Sequence, residues 1–473
     1  MADGSNTVFG VERSRLGLLD GKKHIHFIGI GGSGMFPLAQ ILHGMGYYLT
    51  GSDNNETETL QAVRRMGIPV FMGQRAENIE GADLIVHTAA IMSDNPELIA
   101  ARESTVPVIE RSELLGLVTG WFDRAVCIAG THGKTTTSSM LAQILLSSKE
   151  DFSCVLGGKL SSIGGSGRLG SGDIMVCESC EFVDTFLKLH PDIAVILNID
   201  EDHLDYFKTL KNLKASFTRF ARLASRLVIY NGGDENTLDA LKGLSDRTLV
   251  SFGWDSGLDY SVRVAEVSGM RSKIELLRSG EPFLEAVISV PGRHNALNAC
   301  AAAAAADILG IAPEAIKAGL ESFKGAIRRF EHIALVGGVE IADDYAHHPK
   351  EIEATLTAAK GLGYKRIIAV HQPFTYSRTA ALLKDFAKAL SLADVSVITD
   401  IMGSREKNTY GITSDRLVEL LDNGVLTPDF DSCVGYLKGE VKPGDLVITM
   451  GCGDIYKVAK RLAAELSDGG KEG

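Results

Sequence analysis

The chain has 473 residues, 45% hydrophobic and 23% charged, which is the balance of a folded protein and, at about 150 residues per domain, of roughly three domains. Its 48 basic and 60 acidic residues leave a formal charge of −12, which gives no support for broad attraction to nucleic acid or an anionic membrane and leaves room for local basic pockets. No apolar run of about 18 residues and no signal-like leader stands out, and the seven cysteines are an odd, scattered set, so the expectation is a cytoplasmic protein with reduced thiols and no membrane partner.

In chain order, residues before Lys22 are polar and glycine-containing, which predicts a loose tail. His24 to Ile28 predicts a buried strand, Met35 to Met45 a helix and Tyr47 to Thr50 a second strand. Strands at Ile68 to Phe71 and Leu84 to His87 follow, so a parallel sheet with crossover helices is expected. A second segment opens at Arg124, with strands at Ala125 to Ala129, Ile174 to Cys177, Ile193 to Leu197 and Leu227 to Tyr230, and a helix at Thr135 to Leu146. The composition of Ser161 to Gly172 predicts a mobile loop. Alternation between Thr248 and Val290 predicts a small antiparallel sheet, and the alanine run in Asn295 to Leu309 a helix.

A third segment alternates strands at Val339 to Ala342, Ile367 to His371, Val395 to Thr399 and Leu446 to Thr449 with helices at Pro349 to Lys360, Ala380 to Leu392 and Ile455 to Glu465, and frays from Ser467. The expected fold class is therefore α/β in three domains: a Rossmann-like domain over 1–123, a central P-loop-type domain with a small antiparallel sheet over 124–327, and a second Rossmann-like domain over 328–473. Cys177 and Cys180 form a lone C-x-x-C with no matching second pair, so they read as thiols at a strand end, not a zinc site.

Two glycine loops carry chemistry. Gly29-Ile30-Gly31-Gly32-Ser33-Gly34 satisfies G-x-G-x-x-G between a strand and a helix. Glycines there let the backbone approach a diphosphate at the positive helix end, and Asp53 stands where a ribose-binding acid would lie. Gly130-Thr131-His132-Gly133-Lys134-Thr135, followed by Thr136, is a shortened P-loop variant. Its amides suit phosphate oxygens, Lys134 the outer phosphates and the Thr135 hydroxyl Mg²⁺. A nicotinamide dehydrogenase leaves the second loop idle, and a simple ATPase leaves the first idle. An enzyme that holds a diphosphate-bearing substrate together with ATP uses both.

The strings HFIGIGGSGM from His26, GTHGKTTT from Gly130, ESCEFVDTFL from Glu178, NIDEDHLDYF from Asn198, GRHNALNA from Gly292, RRFE from Arg328 and DDYAHHP from Asp343, with the Gly51-Ser52-Asp53 turn, resemble the Mur ligases of peptidoglycan synthesis across nearly the whole chain. The resemblance implies a reaction in which ATP phosphorylates the lactyl carboxylate of UDP-N-acetylmuramate and the amine of L-alanine displaces the phosphate. It implies ATP and Mg²⁺ as cofactors, and a monomer or homodimer. Its rivals are a relative that ligates a peptide to the same sugar nucleotide in wall recycling, a nicotinamide oxidoreductase and a nucleotide-binding regulator.

By the same resemblance, Lys134, His203, His348 and Arg378 are the catalytic candidates. Gly130 to Thr136, His294, Asn295, Arg328 and Asp344 would face ATP, with Asn295 and Asn298 equally placed to be helix caps. Thr135, Glu178, Glu181 and His203 are the metal candidates, since Mg²⁺ takes hard oxygen ligands and needs only one or two carboxylates besides phosphates. Gly31, Gly32, Ser33, Gly34, Ser52, Asp53 and Asn95 would hold the UDP moiety, although Asn95 before Pro96 also suits a cap. Tyr345, His347 and Arg378 would hold the amino acid, the guanidinium fork matching a carboxylate. Phe374 departs from the family, where histidine is usual, and His371 is either its substitute or a plain strand histidine.

Overall fold

The computed structural model describes residues 7–8, 11–12, 17–268, 271–404 and 406–469. It contains a five-stranded, a ten-stranded and a six-stranded sheet, besides one two-stranded pairing of Thr7–Val8 with Val11–Glu12. The chain divides into two compact units. One comprises residues 1–263, 274–286 and 297–323, and the other 264–273, 287–296 and 324–473.

In the first unit, the five-stranded sheet runs Val70–Met72, Tyr48–Asp53, His24–Ile28, Leu84–His87, Val108–Glu110, all in parallel. Apolar runs bury the central strand on both faces: Ile25, Phe27 and Ile28 have no exposed surface. Strand order reverses on either side of His24–Ile28, which opens a crevice at its carboxyl end. In the larger sheet, Arg124–Ala129 lies between Ile174–Glu178 and Ile193–Ile196, again at a reversal, with parallel register to both. The helix Lys134–Ser148 leaves this crevice and packs on Pro313–Ser322, where a Cβ on Gly319 would lie 2.4 Å from the Ile144 Cα.

Several expectations need correction. The stretch Ser161 to Gly172 is not a mobile loop: Gly165–Arg168 pairs antiparallel with Phe152–Leu160, and the Gly167 amide donates to Gln40 Oε1 at 3.0 Å. Its glycines serve close packing, since a Cβ on Gly167 would meet the Pro37 carbonyl at 2.5 Å and one on Gly172 the Asp151 carbonyl at 1.8 Å. The alternating region after Thr248 does not stand apart. Thr248–Gly253 pairs parallel with both Leu227–Asn231 and Tyr260–Ser268, and Arg271–Arg278 and Glu281–Ile288 follow at the end of the same sheet. The single helix expected over Ala380 to Leu392 is two, Tyr376–Ala381 and Leu383–Leu390, broken at Leu382. The tail before Lys22 is in part anchored, because Leu19 is fully buried beside the front sheet's core, while residues 1–6, 9–10 and 13–16 lie outside the described residues. The frayed end expected from Ser467 begins inside the helix Tyr456–Gly469, and residues 470–473 are outside the described set.

In the second unit the six-stranded sheet runs Glu331–Val336, Val339–Asp344, Asp445–Met450, Arg366–His371, Val395–Ile398, Gly424–Leu426. Only the first of these strands pairs antiparallel. All seven cysteines are free thiols, Cys177 buried and Cys180 exposed. No helix among the described residues is long and apolar enough to cross a membrane.

Candidate active site

The second glycine loop is held by the segment that follows the neighbouring strand. The Thr131 amide donates to the Asn198 carbonyl at 3.1 Å, the His132 amide to Asn198 Oδ1 at 2.8 Å, and Asn198 Nδ2 returns a bond to the His132 carbonyl at 3.0 Å. Thr131 Oγ1 accepts from the Asp200 amide at 2.9 Å. Gly130 (φ +146°) and Gly133 (φ +86°) adopt backbone that L side chains avoid, and a Cβ on Gly133 would meet Asn298 Oδ1 at 2.5 Å. Gly133 caps the helix Lys134–Ser148 without any side chain, so the first-turn amides point into the loop as an anion site.

Lys134 Nζ donates to the Gly130 and Thr131 carbonyls at 2.5 and 3.1 Å and pairs with Glu181 Oε2 at 3.0 Å. Burial alone would lower this amine, but the charges of Glu181, Cys180 and Glu178 outweigh it and hold the ammonium above its ordinary range. Lys134 is therefore a fixed cation at the mouth of the loop. Thr135 is buried in the first helical turn and Thr136 is half-buried.

Of the metal candidates, Glu178 ends its strand and accepts the Gly157 amide at 2.9 Å, while Glu181 is turned onto Lys134. His203 sits at φ 54° with its ring 4.6 Å from that of Phe182. Among the described residues no three His, Cys, Asp or Glu side chains gather into a metal cluster.

In the front loop, the Gly29 and Ile30 amides donate to the Ser52 carbonyl at 2.8 and 3.1 Å, and the Gly31 amide to Asp53 Oδ2 at 3.0 Å. Gly31, Gly32 and Gly34 are half-buried and Ser33 is exposed. Ser52 points inward instead of into the crevice. Its hydroxyl donates to Glu97 Oε2 at 2.7 Å, and Glu97 Oε1 lies 2.6 Å from His26 Nε2 in a fully buried network. Asn95 acts as the cap of Pro96–Glu103, accepting from the Glu97 and Leu98 amides at 3.0 and 3.1 Å, with Nδ2 on Gln74.

In the second unit, His294 and Asn295 open the helix Arg293–Ile308, and Asn295 Nδ2 donates to the Pro291 carbonyl at 2.6 Å. Arg328 (φ 64°) donates from Nε to Asp343 at 2.9 Å and from its terminal nitrogens to the Gly453 and Gly451 carbonyls. It is a brace between strand ends, with its guanidinium 5.0 Å from the Tyr345 ring. Burial pushes Asp343 up to about 6 despite Arg328, and raises Asp344, which accepts the Phe330 and Ala346 amides at 2.7 Å each. His348 is the cap of Pro349–Lys360. His347 Nδ1 lies 3.1 Å from the Tyr345 carbonyl, and burial, aided by the charge of Arg378, lowers it against the opposing pull of Glu351. Among the described residues the Arg378 guanidinium has no hydrogen-bond or carboxylate partner. His371 proves to be the strand histidine: fully buried, stacked on Phe386 and pushed down to about 4 by burial.

Family models match the chain as the Mur ligase family catalytic domain over residues 24–120, the Mur ligase middle domain over 128–306 and the Mur ligase glutamate ligase domain over 328–453. The chain belongs to the Mur ligase family. It is 43% identical over 447 residues to the UDP-N-acetylmuramate–L-alanine ligase of Agathobacter rectalis, covering 93% of this chain and 97% of the relative. It is 43% identical to the ligase of the same name from Acetivibrio thermocellus over 94% of this chain and 97% of that one. The crystal structure of the UDP-N-acetylmuramate–alanine ligase from Thermotoga maritima matches with a TM-score of 0.82 and 30% identity, covering 95% of this chain and 100% of that one.

Three residues beside the two glycine loops escaped sequence reasoning. Arg111 lies across the front loop, its Cδ 2.9 Å from where a Gly34 Cβ would be, and among the described residues its guanidinium has no hydrogen-bond or carboxylate partner. Gly157 makes room for Glu178, whose Oε1 would be 2.0 Å from an added Cβ. Asn198 latches the phosphate loop. Of these, only Asn198 carried a signal, as the first residue of the NIDEDH string directly after a strand.

Proposed function

We propose that this Mur ligase joins L-alanine to the lactyl carboxylate of UDP-N-acetylmuramate through an acyl phosphate, converting ATP to ADP and phosphate. The observation that carries the reading is the pairing of two anion cradles, each at the carboxyl end of a strand at a sheet reversal, in a chain 43% identical over 93% of its length to a UDP-N-acetylmuramate–L-alanine ligase. In this reading residues 1–123 bind the sugar nucleotide, 124–327 bind ATP and 328–473 bind the amino acid.

The chemistry asks for cations first. A carboxylate and a triphosphate repel, and Lys134, fixed by Glu181 and two carbonyls, offsets that repulsion where charge develops on the transferred phosphoryl group. Glu178 and the Thr135 hydroxyl are hard oxygen donors that would hold Mg²⁺ while Glu181 stays on Lys134, and the ion would supply further charge neutralisation. Gly31 to Gly34, Asp53 and Arg111 hold the sugar nucleotide. Arg378 takes the alanine carboxylate in a two-pronged bond. His347, kept neutral by burial, accepts the proton that the alanine nitrogen becomes acidic enough to shed as it bonds to the acyl carbon and phosphate leaves.

The test is phosphate release from ATP in the presence of UDP-N-acetylmuramate, scanned over amino acids and a tripeptide. Alanine-dependent release is the expected result. Release that requires the tripeptide would move the assignment to a peptide ligase.

A further inference from the structure

Two consecutive residues without a glycine among them, Val183 (φ 53°, ψ 32°) and Asp184 (φ 57°, ψ 22°), adopt the left-handed conformation. For a β-branched valine this is a steric outlier, and burial offers no return, since Val183 is 46% exposed. Such strain persists only where surrounding contacts impose it, and it concentrates at functional sites. Here the contacts converge on one side chain. The Asp184 carboxylate accepts from the buried Ser216 hydroxyl, from Tyr206 Oη at 3.2 Å and from Arg219 Nη2 at 3.0 Å. Its amide closes the turn on the Glu181 carbonyl at 2.9 Å.

The turn delivers two neighbours. Glu181, 1% exposed, lands on Lys134, and Phe182 lands on the His203 ring. Tyr206, which donates to Asp184, stands three positions after His203 and so couples the same anchor to the second segment. We propose that Asp184 is a positioning residue for the ATP-dependent step: by pinning the strained turn it sets Glu181 against Lys134 and Phe182 against His203. The inference rests on the reading that the Gly130–Thr135 loop holds the phosphates of ATP. A turn needed only for chain reversal would place glycine or asparagine at the left-handed positions, where neither is strained.

The experiment uses the full chain with Asp184→Ala, Tyr206→Phe and Val183→Gly, measuring steady-state phosphate release, thermal midpoint and calorimetric binding of UDP-N-acetylmuramate without ATP. Asp184→Ala is expected to lower kcat and raise the KM for ATP, each about tenfold, while sugar-nucleotide binding stays within about twofold. Tyr206→Phe removes one hydroxyl at the surface and should shift both constants in the same direction by about threefold. Val183→Gly takes the same backbone without strain and leaves the Asp184 anchor intact, so it should keep kcat and the KM for ATP within about twofold without lowering the thermal midpoint. Variants that melt earlier but keep kcat and the KM for ATP would overturn the positioning role. Lys134→Ala serves as the separate control: full turnover there would remove the phosphate-loop reading, whereas its inactivity beside a normal Asp184→Ala would remove only the role of Asp184.

Discussion

The two glycine loops share a plan of strand, tight turn and helix, and they are charged in opposite senses. At the front loop an acid sits on the turn, with Asp53 accepting the Gly31 amide. At the second loop a cation sits there, with Lys134 drawn onto two loop carbonyls and Glu181. A carboxylate beside a glycine turn suits a sugar hydroxyl and needs a separate cation for phosphate, and the side chain that lies across Gly34 is Arg111. A lysine clamped at the helix start suits a polyphosphate whose charge must be offset during transfer. Backbone plan alone therefore does not separate a binding cradle from a reacting one; the charge of the side chain laid over it does.

Substitutions can sharpen or break this contrast. The largest effect is expected from Lys134→Ala, which should lower turnover by about 10²–10³ and also lower the melting point, because Glu181 is left buried without its partner. Phosphate release and a thermal melt on the same preparation check both. Next is Gly157→Ala, whose methyl group cannot coexist with Glu178 in place and should cost about 10² in kcat through displacement of that carboxylate. Unchanged kcat would detach Glu178 from the chemistry. At the front loop, Asp53→Ala and Arg111→Ala should each raise the KM for the sugar nucleotide by about tenfold and leave the KM for ATP alone, as fits the loss of one charged hydrogen bond. Equal effects on both substrates would blur the two loops into one site.

The smallest effect is on stability against pH. His371 has a pKa pushed down to about 4 by burial, from an ordinary 6.5. Between these values the unfolded chain takes a proton that the folded chain refuses, so this group's contribution is full above 6.5 and is lost as pH falls towards 4. Asp343, raised from 3.8 to about 6 by burial, acts oppositely: the folded form binds the extra proton, so its contribution is full below 3.8 and is lost as pH rises through 6. The two trends partly cancel in the wild type. His371→Gln should therefore unmask a melting temperature that falls as pH rises from 4 to 6, and Asp343→Asn one that rises over the same interval.

What was legible in the sequence was what is local. Both glycine turns, the strand before each and the helix after each are encoded within a dozen neighbours, and the helix Pro349–Lys360 begins and ends where its proline and lysine stand. What was not legible depends on residues far apart in the chain. Gly165 to Gly172 looked flexible because glycine is permissive, yet here it is chosen because Pro37, Gln40 and Asp151 leave no room for a Cβ. Ser52 looked like a ligand contact, but alternation along the strand turns its hydroxyl inward to Glu97. Asn95 fills the cap that sequence reasoning held open beside a role in binding, whereas His348, read only as a catalytic candidate, also proves to be a cap. Arg111 carried no motif, because only folding lays it on Gly34.

Calorimetry of Lys134→Ala and Asp53→Ala, each titrated separately with UDP-N-acetylmuramate and with a non-hydrolysable ATP analogue in the presence of Mg²⁺, tests the division between the two loops most directly. Lys134→Ala should weaken the nucleotide analogue and keep the sugar nucleotide, and Asp53→Ala should weaken the sugar nucleotide by about tenfold and keep the analogue. Loss of both ligands in either folded variant, or loss of the wrong one, would contradict it.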